Sequence, residues 1–323
     1  MDHQSVIGRV AAAAVRAIRP ALSTTRFLVT VMVPVSLGVL LLDSSGLLSI
    51  VSRWLDPVMH LLGLSGESSL VFLSGALLSN YSAIAVIGTL DLSAREITIL
   101  AVMCLICHNL IVESAVMRKT GSSAFKMVLL RIGTAIFAAA VLNRIMGEEV
   151  TAAVVRSGSA GATVPLSMES LPSLLSGWAL DSGALLLKIA VIVTLLMILH
   201  KIMEEFGFME LLAKFTAPLM LVLGLPSSAG FLWIISNVVG LAYGSAIMIE
   251  RSQSGKLSLS DGDLFNHHAG ISHSLLEDSL LYAAIGVPVL WLLVPRVILA
   301  IAIVWLERLR RILFRRSFRV GTI

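Results

Sequence analysis

Residues Cys104, Cys107 and His108 have the Cys-x-x-Cys-His spacing of a covalent haem-attachment site. Five positions after the histidine stands Glu113, and all four lie in the apolar run ITILAVMCLICHNLIVESAVM. A charge at the centre of a bilayer costs roughly 3 kcal/mol on insertion scales, so such groups persist where they pair, line a cavity or bind something. A second group of this kind, HSLLEDS from His273, carries Glu277 and Asp278. On an ideal helix Asn109 and Glu113 share a face, as do Ser274 and Asp278, and His273 and Glu277, each pair being four apart. His108 and Glu113 are five apart and diverge by about 140°, so they converge only where the helix is broken. Transporters place substrate and ion sites at such breaks. His108, Asn109, Glu113, His273, Ser274, Glu277 and Asp278 therefore form one candidate substrate- or ion-binding site. The competing explanation is interhelical hydrogen bonding, with Glu113 at the membrane surface beside Arg118. Asn80 and Asn237 join the candidates, because an amide in an apolar segment needs partners.

A metal site is the second chemistry on offer. His267, His268, His273, Glu277 and Asp278 crowd within a dozen residues, His108 and Glu113 could join them, and imidazole with carboxylate suits Zn, Fe, Mn or Ni. No fixed short ligand spacing accompanies them. The haem reading fares worse. In the second group Ala269 and Ser272 stand where Cys104 and Cys107 stand in the first, while the histidine recurs. No cofactor is therefore expected, haem included, and a metal ion is the one option the chemistry leaves open. GSAGAT lacks the Gly-Lys-Ser/Thr ending of a phosphate-binding loop. Ser274 adjoins His273, but adjacent residues on a helix point about 100° apart. No catalytic residue is therefore assigned, and the expectation is not an enzyme.

The elements that hold these groups must be membrane helices. The 323 residues are 57% hydrophobic and 14% charged, with mean hydropathy +0.94. Soluble domains carry about a quarter charged residues. The apolar runs approach the ~20 residues a spanning helix needs, and no alternating ten-residue strands of a barrel appear. The fold class is all-α polytopic membrane protein. The net charge of +4 is concentrated at the ends, in Arg9, Arg16, Arg19 and Arg26 and in Arg308, Arg310, Arg311, Arg315, Arg316 and Arg319. Beside membrane spans these read as flanks facing anionic headgroups rather than as a nucleic-acid surface. The expected partners are the bilayer, a small-molecule or ion substrate, and a homo-oligomer or membrane partner. The expected location is the inner (plasma) membrane, multi-pass, with both termini cytoplasmic.

The chain divides into two similar halves. DPVMHLLGLSGESS from Asp56 matches APLMLVLGLPSSAG from Ala217, NYSAIAVI from Asn80 resembles AYGSAIMI from Ala242, and HNLIVES from His108 matches HSLLEDS from His273. Three matches in order indicate a duplicated unit of about 125 residues. The expected parts are an amphipathic N-terminal segment at 1–23, ended or turned by Pro20, and a first repeat at 24–146. A linker follows at 147–182, then a second repeat at 183–307 and a basic tail at 308–323. Hydropathy suggests about 8 to 10 crossings. Five per half would invert the second repeat and obey the positive-inside rule. Arg53 and Asp56 make 47–64 a poor span, which leaves open a re-entrant or interfacial role for it and for 208–224.

The pattern Pro-x-Met-x-x-x-Gly-Leu, a Ser/Gly-rich broken segment and then HNLIVESAVMRKTG resembles the nucleoside-recognition, or Gate, domain membrane proteins. These include the spore maturation proteins A and B, and the membrane core of the ferrous-iron transporter B is similar. The resemblance covers most of 30–310 as two Gate-like copies. It implies a transporter or permease moving a nucleoside-like solute or an ion through a site at the repeat interface. Two alternatives remain: a membrane assembly subunit like the spore maturation proteins, or a metal-ion transporter using the His/acid cluster. The sequence shows no counterpart of the ferrous-iron transporter's GTP-binding domain, a departure that argues against iron transport and against a nucleotide switch.

Overall fold

A computed structural model of the chain describes residues 6–45, 47–147, 171–238, 240, 244, 247–249, 251 and 257–314. Most of the expected linker (148–170), part of AYGSAIMI and the end of the basic tail (315–323) lie outside the described residues. The described residues form helices, with no strand among them.

Helix α1, Val6–Ser44, runs 39 residues and passes through Pro20 and Pro34. The expected boundary near residue 23 is therefore not a helix end. Proline removes one backbone bond and crowds the preceding turn. Packing along the helix overrides that local cost: Ala13, Ala17 and Ala21 form a buried stripe of small residues at four-residue spacing, which lets a neighbouring helix approach closely. The neighbour with the most extensive packing is α8, Leu171–Glu205. The two run antiparallel. Arg9 Nε donates to Glu205 Oε1 at 3.0 Å and Arg16 also pairs with Glu205, while at the other end Trp178 Nε1 donates to Ser36 Oγ at 3.2 Å. Residues 171–182, expected as linker, belong to α8.

After α1 come α2 (Leu47–Leu61), α3 (Ser69–Leu77), α4 (Asn80–Ile87), α5 (Ala94–Ile106), α6 (Leu110–Lys119) and α7 (Ala124–Ile145). After α8 come α9 (Phe208–Val222), α10 (Gly230–Val238), α11 (Leu259–Ala269), α12 (Glu277–Ala284) and α13 (Val289–Phe314). The same local devices appear in both series. α2 and α9 are each 15 residues long. Each is followed by a glycine with positive φ, Gly63 (71°) and Gly224 (70°), and by a backbone bond back into the helix, Leu64 N to Met59 O and Leu225 N to Met220 O. This is the glycine-dependent helix stop that satisfies the last carbonyls. A short 3₁₀ turn and a nine-residue helix then follow in each series. Ser93 and Ser258 cap α5 and α11 alike, each accepting a backbone N–H three residues on.

Four stretches among the described residues are long and apolar enough to cross a bilayer: Ala94–Lys119, Ala124–Ile145, Pro172–Glu205 and Val289–Phe314. α2 and α9 reach only about 22 Å at 1.5 Å per residue, short of a ~30 Å hydrocarbon core. They fit the interfacial option rather than a full crossing. α3 and α4 fold back on one another: a Cβ on Gly75 would lie 3.2 Å from Ala83 Cβ and 2.8 Å from Cys104 Sγ. Glycine is thus what lets α3, α4 and α5 meet at that level. Outward faces carry exposed Trp54, Leu61, Phe125, Phe137, Leu290 and Ile298, the surface expected of helices in lipid.

Candidate functional site

Both long polar-bearing segments break at the histidine. α5 stops at Ile106, and α6 restarts at Leu110 after Asn109 adopts a left-handed conformation at φ 48°. α11 stops at Ala269, and α12 restarts at Glu277 beyond Ser274, also at φ 48°. Non-glycine residues rarely adopt this region, and asparagine does so more readily than most. Each break is pinned by a neighbouring half-helix. Asn109 N–H donates to Gly75 O at 3.0 Å on α3, and Ser274 N–H donates to Ser236 O at 2.9 Å on α10.

Breaking a helix frees carbonyls, and two fully buried arginines supply donors for them. Arg131 on α7 donates from Nε to Ile106 O (2.9 Å) and from Nη2 to His108 O (2.8 Å). Arg296 on α13 donates from Nη2 to His273 O. Both guanidinium groups have 0% exposure. Sequence reasoning missed them, although each stands inside an apolar run and at equal spacing behind its acid, Glu113 or Asp278. That shared spacing was the available signal.

The break brings His108 and Glu113 together despite their five-residue separation. Glu113 Oε1 lies 3.1 Å from His108 Nε2 and 3.3 Å from His273 Nε2. The two Nε2 atoms are 3.3 Å apart, with ring centroids at 5.0 Å. Arg131 Nη1 lies 2.7 Å from Glu113 Oε2, completing a buried ion pair. Asp278 Oδ2 lies 3.5 Å from His108 Nε2. The second half is not a copy of the first here. Asp278 is one methylene shorter than Glu113, and Arg296 Nη1 donates instead to Ser279 Oγ at 3.3 Å. Among the described residues Asp278 Oδ2 has no hydrogen-bond donor and Arg296 Nε no acceptor.

The tautomers follow from the partners. His108 Nδ1 faces Cys104 O at 3.0 Å and His273 Nδ1 faces Ala269 O at 2.6 Å. A carbonyl only accepts, so both Nδ1 atoms carry hydrogen. In the neutral rings both Nε2 atoms then present lone pairs, and Glu113 Oε1 presents another. Three acceptors converge within 3.3 Å. Such a cluster needs a cation, either a proton on one ring or an ion at the centre.

The remaining sequence candidates sort as follows. Glu277 Oε1 accepts from Tyr81 Oη at 3.0 Å, beside the cluster. Asn80 Oδ1 accepts from Tyr282 Oη at 3.3 Å, so α4 and α12 are tied across the halves. Asn237 turns back to its own helix, donating to Trp233 O at 2.8 Å. Asn109 and Ser274 act through their backbones. His267 and His268 do not join His273. His267 Nδ1 faces Asp263 O on its own helix at 2.6 Å, with Glu307 nearby on α13, and His268 stands edge-on to Trp233. His267 and His273 lie on either side of the end of α11, so the helix stop separates them. Cys104 and Cys107 are buried and unpaired.

Comparison with known proteins adds the family. The Gate profile, described as nucleoside recognition, matches residues 26–123, which hold the first break and its acid. An uncharacterized membrane protein of Bacillus subtilis (strain 168), YvoD, is 34% identical over 278 residues, covering 86% of this chain and 88% of its own length. The chain belongs to the Gate family. No solved structure matches it significantly. This Gate protein is an all-α polytopic membrane protein, and its paired histidines stand where two half-helix breaks face each other.

Proposed function

We propose that this Gate protein is a secondary transporter or permease in which two inverted repeats meet at His108 and His273. The observation that carries the reading is the convergence of His108 Nε2, His273 Nε2 and Glu113 Oε1 at two facing helix breaks. Several features support inversion. α1 and α8 occupy corresponding places in the two series and run antiparallel. Gly88, at the end of α4, lies against Leu185 in the first half of α8, whereas Gly224, before α10, lies against Val304 and Trp305 in the second half of α13. α3–α4 and α10 thus enter from opposite ends of the bundle. Each half then has three crossings, made by its long first helix, its broken pair and its last helix, plus one re-entrant segment. An odd number inverts the second half. The arginine-rich N-terminus, residues 118–126 and the end of α13 fall on one side, which the positive-inside rule makes cytoplasmic. The plasma membrane is the location that the family resemblance implies.

In this reading a small solute or ion binds at the breaks, and gain or loss of a cation by the histidine–acid cluster biases which side is open. An imidazole exchanges protons near physiological pH, which suits coupling to a proton gradient. The chemistry requires no covalent step, so the protein acts as a carrier and not as an enzyme. The family description makes nucleosides the first solutes to assay.

Protein reconstituted in liposomes is expected to take up at least one labelled nucleoside or small ion, at a rate that changes when a pH gradient is imposed. Uptake equal to that of protein-free liposomes across nucleosides, nucleobases, monovalent and divalent cations would overturn the reading.

A further inference from the structure

The central cluster has the dimensions of a metal site. Donor atoms around a tetrahedral ion with bonds of about 2.0–2.1 Å stand about 3.3 Å apart. His108 Nε2, His273 Nε2 and Glu113 Oε1 are separated by 3.1, 3.3 and 3.3 Å. Asp278 Oδ2 is 3.5 Å from His108 Nε2, is buried and has no hydrogen-bond donor among the described residues. The surroundings also fit. Metal-binding imidazoles hold their second ring nitrogen on a carbonyl or carboxylate, which fixes orientation and raises basicity. Here Cys104 O and Ala269 O do this, each four residues before its histidine. Arg131 engages Glu113 Oε2 and leaves Oε1 for the centre.

We propose that His108, His273 and Glu113 bind a first-row divalent transition metal, with Asp278 beside the site rather than among its three protein donors. Two imidazoles favour such ions over magnesium or calcium, which take oxygen ligands. Two buried arginines already balance the two acids, so binding leaves net positive charge. That limits affinity and suits an ion that must leave again. The geometry stands by itself; the ion's role as cargo or coupling ion rests on the transporter reading.

Asp263, His267 and Glu307 form a second cluster of similar size, and its chemistry is different. Glu307 already accepts from Lys126, Arg310 and Arg311, and Asp263 accepts from Ser122 and Arg311. Its carboxylates are taken by cations of the protein itself. It serves as the comparison in the test.

The full chain, purified in detergent and stripped with chelator, is titrated with Co²⁺ and followed by visible absorption and elemental analysis. Saturable binding of one Co²⁺ per chain, displaced by Zn²⁺ but not by Mg²⁺, is expected. His108→Gln and His273→Gln should each weaken binding tenfold or more, and His267→Gln should leave it unchanged. Absence of saturable Co²⁺ binding by the folded wild-type protein overturns the proposal. So does binding that survives both central variants and is lost with His267→Gln. Solute uptake without Co²⁺ binding defeats the metal site alone; Co²⁺ binding without flux of any solute or metal defeats the transporter reading alone.

Discussion

Arg131→Met is expected to destabilise the protein by about 3–5 kcal/mol, the range seen when one partner of a buried ion pair is removed. Three losses coincide. Glu113 is left as a buried carboxylate without its guanidinium, and the carbonyls of Ile106 and His108 lose their donors. Each orphaned buried acceptor accounts for about 1–3 kcal/mol of that loss where no water reaches it. Methionine restores volume but none of these bonds. The double variant Arg131→Met, Glu113→Gln should recover only part of the loss, because the carbonyls remain unsatisfied. Denaturation of the purified protein in detergent, with compactness checked by size exclusion, gives the comparison. A single-variant loss under about 1 kcal/mol would mean that water satisfies these groups and that the break is not held by Arg131.

The second large effect is on flux. Glu113→Gln with Asp278→Asn keeps side-chain shape but removes both carboxylate charges that face the histidines. The cluster then keeps its two imidazoles but loses the anionic groups that strengthen its hold on a proton or a metal ion. Uptake should fall about a hundredfold or more, corresponding to about 2.7 kcal/mol at 1.36 kcal/mol per decade. Arg131 and Arg296 keep their bonds to the freed carbonyls but lose their counter-charges, so uptake is compared per folded molecule, with folding checked by size exclusion. Unchanged uptake and binding in the double variant would remove the cluster from the transport path.

Much of this arrangement can be read from sequence, and the exceptions have physical causes. The apolar runs and low charge give the helical membrane class. The recurring His-x-Leu-x-x-acid-Ser pattern marks the two segments, and the five-residue spacing of His108 and Glu113 already demands a break if they are to meet. The haem-like cysteine spacing carried no such demand. Cys104 packs under α3, where its Sγ would lie 2.8 Å from a Cβ on Gly75. The arginines escaped because a single charge inside a strongly apolar run leaves the hydropathy of that run nearly intact. Only the fold shows that Arg131 and Arg296 answer the carbonyls a break exposes. Pro20 misled for the opposite reason: a local rule about helix ends lost to packing along α8. His267 and His268 are close to His273 in sequence, but the end of α11 turns them toward different neighbours. Crossing number was least legible, because half-length helices such as α3, α4 and α10 are as apolar as full spans.

The most direct measurement is a structure of the protein in lipid nanodiscs at saturating concentration of a transported solute or of Co²⁺. The expected result is density at the facing breaks, in contact with His108, His273 or Glu113, with the two halves related by inversion across the membrane. Bound solute or metal elsewhere, with His108 and His273 apart and packed into separate apolar surroundings, would contradict the account.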